Sequence, residues 1–267
     1  MYEAHWGLTE SPFENTPDPR FLYLSKQHEE GLSRLFYVVK TRKGAGVMTG
    51  VFGCGKTLLA RAVIRELQKQ GHRIALITNP RLDPLEILRM ILYELGVSIP
   101  ALHKSDVLFQ LKEILSNNSR DGRETLIVID EAHVIQDPNV FEELRLLLNF
   151  QMEEKFLVTL FLIGQPELRN QIETNKPLAQ RIAIRFHLEP LMLEETTSYI
   201  AHRLSVVGRT EPIFTQEAIR FIHEGSGGIP RRINQICDMC LFTGYVRQVD
   251  QVARDVVDEA VASVQGQ

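Results

Sequence analysis

The residues Gly50-Val51-Phe52-Gly53-Cys54-Gly55-Lys56-Thr57 follow the spacing G-x-x-x-x-G-K-[ST]. That spacing is built to hold phosphate. Glycines let the backbone curl until successive N–H groups point at one anion. A helix that starts near Lys56 adds its positive N-terminus. Lys56 places a point charge at the outer phosphates, and Thr57 offers a hydroxyl to Mg²⁺. The expected cradle runs from Gly50 to Leu58.

A second group lies downstream in Leu126-Ile127-Val128-Ile129-Asp130-Glu131-Ala132-His133. An apolar run delivers two carboxylates at its end, where open parallel sheets bind ligands. Asp130 is the expected Mg²⁺ ligand, directly or through water. Glu131 is the expected residue that orients and polarises an attacking water. His133 reads as a polar contact near the site rather than an acid–base catalyst.

These side chains need a scaffold, and the flanking sequence supplies one. GAGVMTG precedes the glycine loop as a candidate strand. RIALITN (73–79), TLIVID (125–130) and FLVTLFLIG (156–164) are short, apolar and rich in β-branched residues, which suits strands buried on both faces of a parallel sheet. Helical patterns separate them. TLLARAVIRELQKQG is expected to stop at Gly71. DPLEILRMILYELG has Asp83 as N-cap, Pro84 at the first helical position and Gly96 as the stop. SDVLFQLKEILSNN opens on Ser105 as its expected cap. Alternating strands and helices predict a doubly wound α/β domain. After about Pro190 four further segments read as helices, with no strong strand among them. The expected division is an α/β core over 1–190 and a small helical domain over 191–267.

Composition excludes several classes. With 44% hydrophobic and 24% charged residues, the chain is neither disordered nor collagen-like. No apolar run reaches the ~20 residues of a bilayer span. The opening MYEAHWGLTESPF has acidic residues and no basic n-region, unlike a secretory signal. Three cysteines suit a reducing compartment, so a cytoplasmic location is expected. Cys237 and Cys240 fall inside a helical pattern without a second pair, which reads as a buried helix face rather than a zinc site. A net charge of −4 argues modestly against a dedicated nucleic-acid module.

GVFGCGKT, IVIDEAH, FLIGQPELR, LAQRIAIRF and GGIPRRIN, in that order, resemble an AAA+ ATPase. SPFENTPDPRFLYLSKQHEEGLSRLFY, the DEAH form of the second motif, IGQPEL and GIPRRIN are more narrowly similar to the ATPase domain of the general secretion pathway protein A (ExeA-type) family. The resemblance covers essentially the whole chain. It implies a P-loop NTPase sheet followed by a helical lid, with ATP and Mg²⁺ as ligands and hydrolysis as the activity. It implies that Gln165 is a polar sensor of water and γ-phosphate, and that Arg231 is the lid arginine acting in cis, with Arg232 as its competitor. It also implies that Arg181 reaches a neighbouring subunit's γ-phosphate, with Arg185 as the competing candidate. The N-terminal arm packs across the sheet in such proteins, and Phe21, Leu22 and Tyr23 are either adenine-pocket walls or plain packing.

The family resemblance further implies assembly into a ring or filament that acts on a protein partner of a secretion- or pilus-type cell-envelope machine. Longer members continue into a membrane span and a periplasmic cell-wall-binding part. This chain stops at about VASVQGQ, so no membrane segment is expected in it. The alternative is a DNA-binding AAA+ assembly regulator of the transposition type, in which a spiral of subunits pools weak basic patches on duplex DNA.

Overall fold

A computed structural model describes residues 1–15, 18–98, 101–152 and 155–265. Thr16 and Pro17 of the N-terminal arm and the last two residues of VASVQGQ lie outside them. In chain order the elements are α1 (Glu3–Trp6), a 3-10 turn (Pro19–Phe21), α2 (Lys26–Lys40), β1 (Ala45–Gly50), α3 (Lys56–Lys69), β2 (Arg73–Ile77), α4 (Pro84–Glu94), α5 (Lys104–Arg120), β3 (Thr125–Ile129) and a second 3-10 turn (Ala132–Val134). Then come α6 (Pro138–Leu147), β4 (Gln151–Met152), β5 (Lys155–Phe156), β6 (Thr159–Gly164), α7 (Glu167–Thr174), α8 (Lys176–Ala179), β7 (Ile182–Leu188), α9 (Leu193–Val206), α10 (Gln216–Ser226), α11 (Pro230–Val246) and α12 (Arg254–Gln265).

The chain divides into two compact units. One comprises Gln27–Phe52 and Leu59–Leu188. Its five-stranded sheet runs in the order β2-β3-β6-β1-β7, and every pairing is parallel. Both faces are covered. Val47, Ile77, Ile129 and Leu162 on one face share a core with Ile87, Ile91, Leu111 and Leu144 from α4, α5 and α6. On the other face Val38 of α2 packs over β1, 3.8 Å from where a Cβ at Gly46 would stand, and the Phe161 ring of β6 lies 3.3 Å from the same point. Buried faces on both sides explain the continuous apolar runs of β1, β3 and β6.

Helix α4 starts as expected. Asp83 accepts hydrogen bonds from the N–H groups of Leu85 and Glu86, both at 2.8 Å, and the Glu86 side chain accepts from the Asp83 N–H at 3.0 Å. This reciprocal box satisfies donors that the first turn leaves unpaired.

Three local expectations are corrected. Ser105 is not a cap: His103 is extended, its carbonyl accepts from the N–H groups of Asp106 and Val107, and Ser105 lies within the first turn of α5. The run 156–164 is not one strand. Phe156 pairs with Gln151 in a small antiparallel hairpin, and the sheet strand begins only at Thr159. The sequence LAQRIAIRF contains an unexpected strand, β7, which forms the edge of the sheet beside β1.

The other unit comprises Met1–Lys26, Gly53–Leu58 and Glu189–Gln267. It therefore departs from the expected division at residue 190, because the N-terminal arm joins the helical part instead of the sheet. The reason is burial. Trp6, Phe13 and Phe21 enter one core with Tyr199, Leu204, Ile236 and Val257. Trp6 Nε1–H donates to the Leu241 carbonyl at 2.9 Å. Arg203 is 4% exposed and donates to the carbonyls of Pro12 (2.6 Å) and Glu14 (2.9 Å) and to the Tyr199 hydroxyl (2.9 Å). Cys237 and Cys240 are fully buried on α11, and burial pushes both thiols up from their ordinary ionisation range. Among the described residues no helix is long and apolar enough to cross a membrane.

Candidate functional site

The candidate loop joins β1 to α3, turning through Val51–Gly55. Gly53 and Gly55 have φ of +88° and +97°, a region that side chains rarely enter. Gly53 is also pinned by space. A Cβ there would stand 2.8 Å from the Arg231 Cβ and 3.1 Å from Ile229 Cγ2. The Gly53 carbonyl accepts the Arg231 N–H at 3.3 Å. The start of α11 therefore rests on the glycine loop through Arg231, whose own side chain is exposed. Arg232 is placed differently, beside a cavity of about 360 Å³ with Gln235, Ile236 and Val261. Within the loop Lys56 and Cys54 are buried, at 5% and 1% exposure, while Phe52 projects outward.

In the α/β unit, parallel pairing brings strand ends to one edge. Thr49 of β1 is level with Gly164 of β6, and Leu162 of β6 with Ile129 of β3. The residues that follow, Gln165 after β6 and Asp130 and Glu131 after β3, therefore emerge at the edge from which the glycine loop leaves β1. Asp130 is 3% exposed. Its N–H donates to the Ile77 carbonyl at 2.8 Å, and its Oδ1 accepts the Glu131 N–H at 2.9 Å. Glu131 takes the left-handed conformation, φ 53° and ψ 31°, which a non-glycine residue holds only when its surroundings impose it. The Asp130 bond and a 2.9 Å bond from the Val134 N–H to the Glu131 carbonyl impose it here.

Glu131, His133 and Gln165 form one cluster. The Gln165 N–H donates to His133 Nδ1 at 3.3 Å, and the Gln165 amide lies 3.0 Å from His133 Nε2. The Glu131 carboxylate is 3.5 Å from Nδ1. Sequence reading placed His133 near the site but missed this link, since the two residues are 32 positions apart. The only signal for it was a ring two residues beyond the glutamate.

The two candidate trans arginines stand apart from that cluster. Arg181, just before β7, donates to Asn149 Oδ1 at 3.1 Å and stacks 5.8 Å above the Phe156 ring. Arg185, on β7, pairs with Glu173 at 3.2 Å and donates to the Ala179 carbonyl. Phe21 is buried beneath Arg203, 4.6 Å from guanidinium carbon to ring centroid, so it serves as packing in the helical unit. Tyr23 stands 6.0 Å from Tyr199 and 5.9 Å from His202, centroid to centroid. Leu22 is half-buried.

The glycine loop has the chemistry to cradle the phosphates of a nucleotide. The loop holds two glycines at positive φ ahead of a 14-residue helix, and side-chain bulk at Gly53 is excluded. The Asp130 carboxylate after β3 is a hard oxygen donor of the kind that Mg²⁺ takes.

Residues 39–172 match the family described as AAA domain. Over 270 residues the chain is 37% identical to General secretion pathway protein A of Aeromonas hydrophila, covering 100% of this chain and 49% of that protein. The chain thus spans about half the length of that relative. Among solved structures, the Aeropyrum pernix ORC2 protein, described in ADPNP–ADP complexes, aligns with a TM-score of 0.69 at 18% identity, over 95% of this chain and 71% of that one. The Thermotoga maritima RuvB Holliday junction branch migration motor aligns at 0.61 and 20% identity, over 90% and 69%. At such identities these likenesses show the fold.

Proposed function

This chain belongs to the AAA+ ATPase family, in the branch typified by General secretion pathway protein A, and on that premise we propose that it hydrolyses ATP to ADP and phosphate and couples this to assembly with copies of itself. The observation that carries the reading is the common strand edge. β1 hands the chain to the glycine loop where β3 delivers Asp130 and Glu131 and β6 delivers Gln165.

In this reading the N–H groups of Gly50–Leu58 and the Lys56 ammonium bind the phosphates, while Thr57 and Asp130 hold Mg²⁺. The metal, when bound, neutralises phosphate charge. Glu131 polarises the attacking water and Gln165 contacts that water and the γ-phosphate. Arg231 acts in cis, a role supported by its seat against Gly53. Arg181 acts in trans on a neighbouring copy. Its partner is a neutral amide, whereas Arg185 is in an ion pair, and a neutral partner is given up more readily. The role assigned to the assembly is to drive or regulate a secretion- or pilus-type machine of the cell envelope, a reading supported by the relative's name.

The test is calorimetry and turnover with ATP and Mg²⁺. Wild type binds and hydrolyses, and Lys56→Ala loses binding. Glu131→Gln keeps binding and loses turnover by about 10²-fold or more. Arg181→Ala binds but does not turn over until mixed with Lys56→Ala subunits, which supply the missing arginine to its intact Glu131 site. No affinity at millimolar ATP overturns the reading, and unchanged turnover in Glu131→Gln overturns the role of that residue.

A further inference from the structure

The ring nitrogens of His133 each face a group of Gln165, and only one protonation state satisfies both contacts. The backbone N–H of Gln165 is a fixed donor aimed at Nδ1 at 3.3 Å. Nδ1 must therefore be bare, which puts the proton of the neutral ring on Nε2. That N–H then needs an acceptor 3.0 Å away in the Gln165 amide. The amide oxygen, not its nitrogen, must occupy that position, an assignment decided by the hydrogen-bond network. Both amide N–H groups are then left for an acceptor outside the pair.

Packing holds the ring in this place. A Cβ at Gly164 would stand 3.0 Å from Leu168 Cδ2, 3.1 Å from the His133 N and 3.2 Å from Nδ1, so the bare glycine lets the ring lie close against the end of β6. The Gln171 side-chain amide donates to the carbonyls of His133 (3.0 Å) and Ile135 (3.1 Å) and clamps the turn that carries the ring. The Glu131 carboxylate also stands 3.5 Å from Nδ1.

We propose that His133 is a positioning residue for hydrolysis: as the Nε2–H tautomer it holds the Gln165 amide oxygen, turns the amide N–H groups toward the γ-phosphate and water, and ties Gln165 to the turn that carries Glu131. This rests on the ATPase reading above. The glutamate that polarises water and the glutamine that senses phosphate are then one mechanical unit, although they follow different strands. An outward amide NH₂ is a donor suited to an anionic oxygen, and an outward amide oxygen is not.

Two experiments test this on the full chain. Nitrogen NMR of histidine-labelled wild type, with the His133 signals assigned by their loss in His133→Asn, is expected to show a bare Nδ1 and a protonated Nε2. An Nδ1–H tautomer overturns the proposal. That measurement requires no turnover, so it stands apart from the ATPase reading, which fails separately if wild type does not hydrolyse ATP.

The kinetic experiment uses His133→Asn, which keeps an acceptor for the Gln165 N–H and removes the ring donor. We expect kcat to fall about tenfold or more with KM within about twofold. Gln165→Ala added to His133→Asn should lower kcat by less than about threefold further, because the two residues act together. His133→Gln, which restores a donor near the position of Nε2, should recover part of the loss. An unimpaired His133→Asn, or losses that multiply in full, overturns the proposal. If the variants do not fold, the wild-type tautomer decides.

Discussion

Arg203 anchors the N-terminal arm, and its removal has a consequence that can be sized from its contacts. The guanidinium is 4% exposed and reaches the carbonyls of Pro12 and Glu14 and the Tyr199 hydroxyl, while stacking on Phe21. Alanine at 203 leaves the two carbonyls without their donor, at about 1–2 kcal/mol each. It also forfeits the stack on Phe21, about 1 kcal/mol. The expected loss is about 3–5 kcal/mol, and at a slope near 2 kcal/mol per molar urea the midpoint falls by about 2 M. The assay is built in. Trp6 is the single tryptophan, is 3% exposed and belongs to the same unit, so its emission follows unfolding of that unit. Arg203→Lys should recover little, since one ammonium cannot span three acceptors held by a planar fork. A midpoint for Arg203→Ala within about 0.3 M of wild type would refute the reasoning.

Three further outcomes are expected. Gly53→Ala forces a side chain into φ +88° and against Arg231, at about 1–2 kcal/mol for the backbone alone; nucleotide affinity measured by calorimetry should fall about tenfold or more. The buried thiols of Cys237 and Cys240 stay protonated in the folded state, whereas unfolded thiols ionise near pH 8.5. The folded state thus binds more protons above that pH, and stability falls by up to about 1.4 kcal/mol per thiol per pH unit. Urea midpoints at pH 7 and 9.5 should show the fall, and replacing both cysteines by alanine should flatten it. Arg185→Ala should keep more turnover than Arg181→Ala in steady-state assays, because Arg185 is engaged with Glu173; the opposite order reassigns the trans arginine.

What the amino-acid sequence determined by itself was everything written in adjacent residues. The glycine spacing before Lys56 dictates a turn followed by a helix start, because few residues other than glycine tolerate its φ values. The box of Asp83 and Glu86 sets the start of α4 through bonds spanning three residues. Apolar runs such as 125–129 declare buried strands because both their faces are covered. Tertiary structure decided the rest. β7 was illegible because its sheet-edge position leaves Ala183, Arg185 and His187 exposed, which breaks the apolar run. The arm's attachment to the helical unit depends on Arg203, 191 positions from the carbonyl of Pro12. His133 meets Gln165 only because β3 and β6 are neighbours in register. Local patterns carry no term for such distant pairings, which form when strand order and burial fix which ends share an edge.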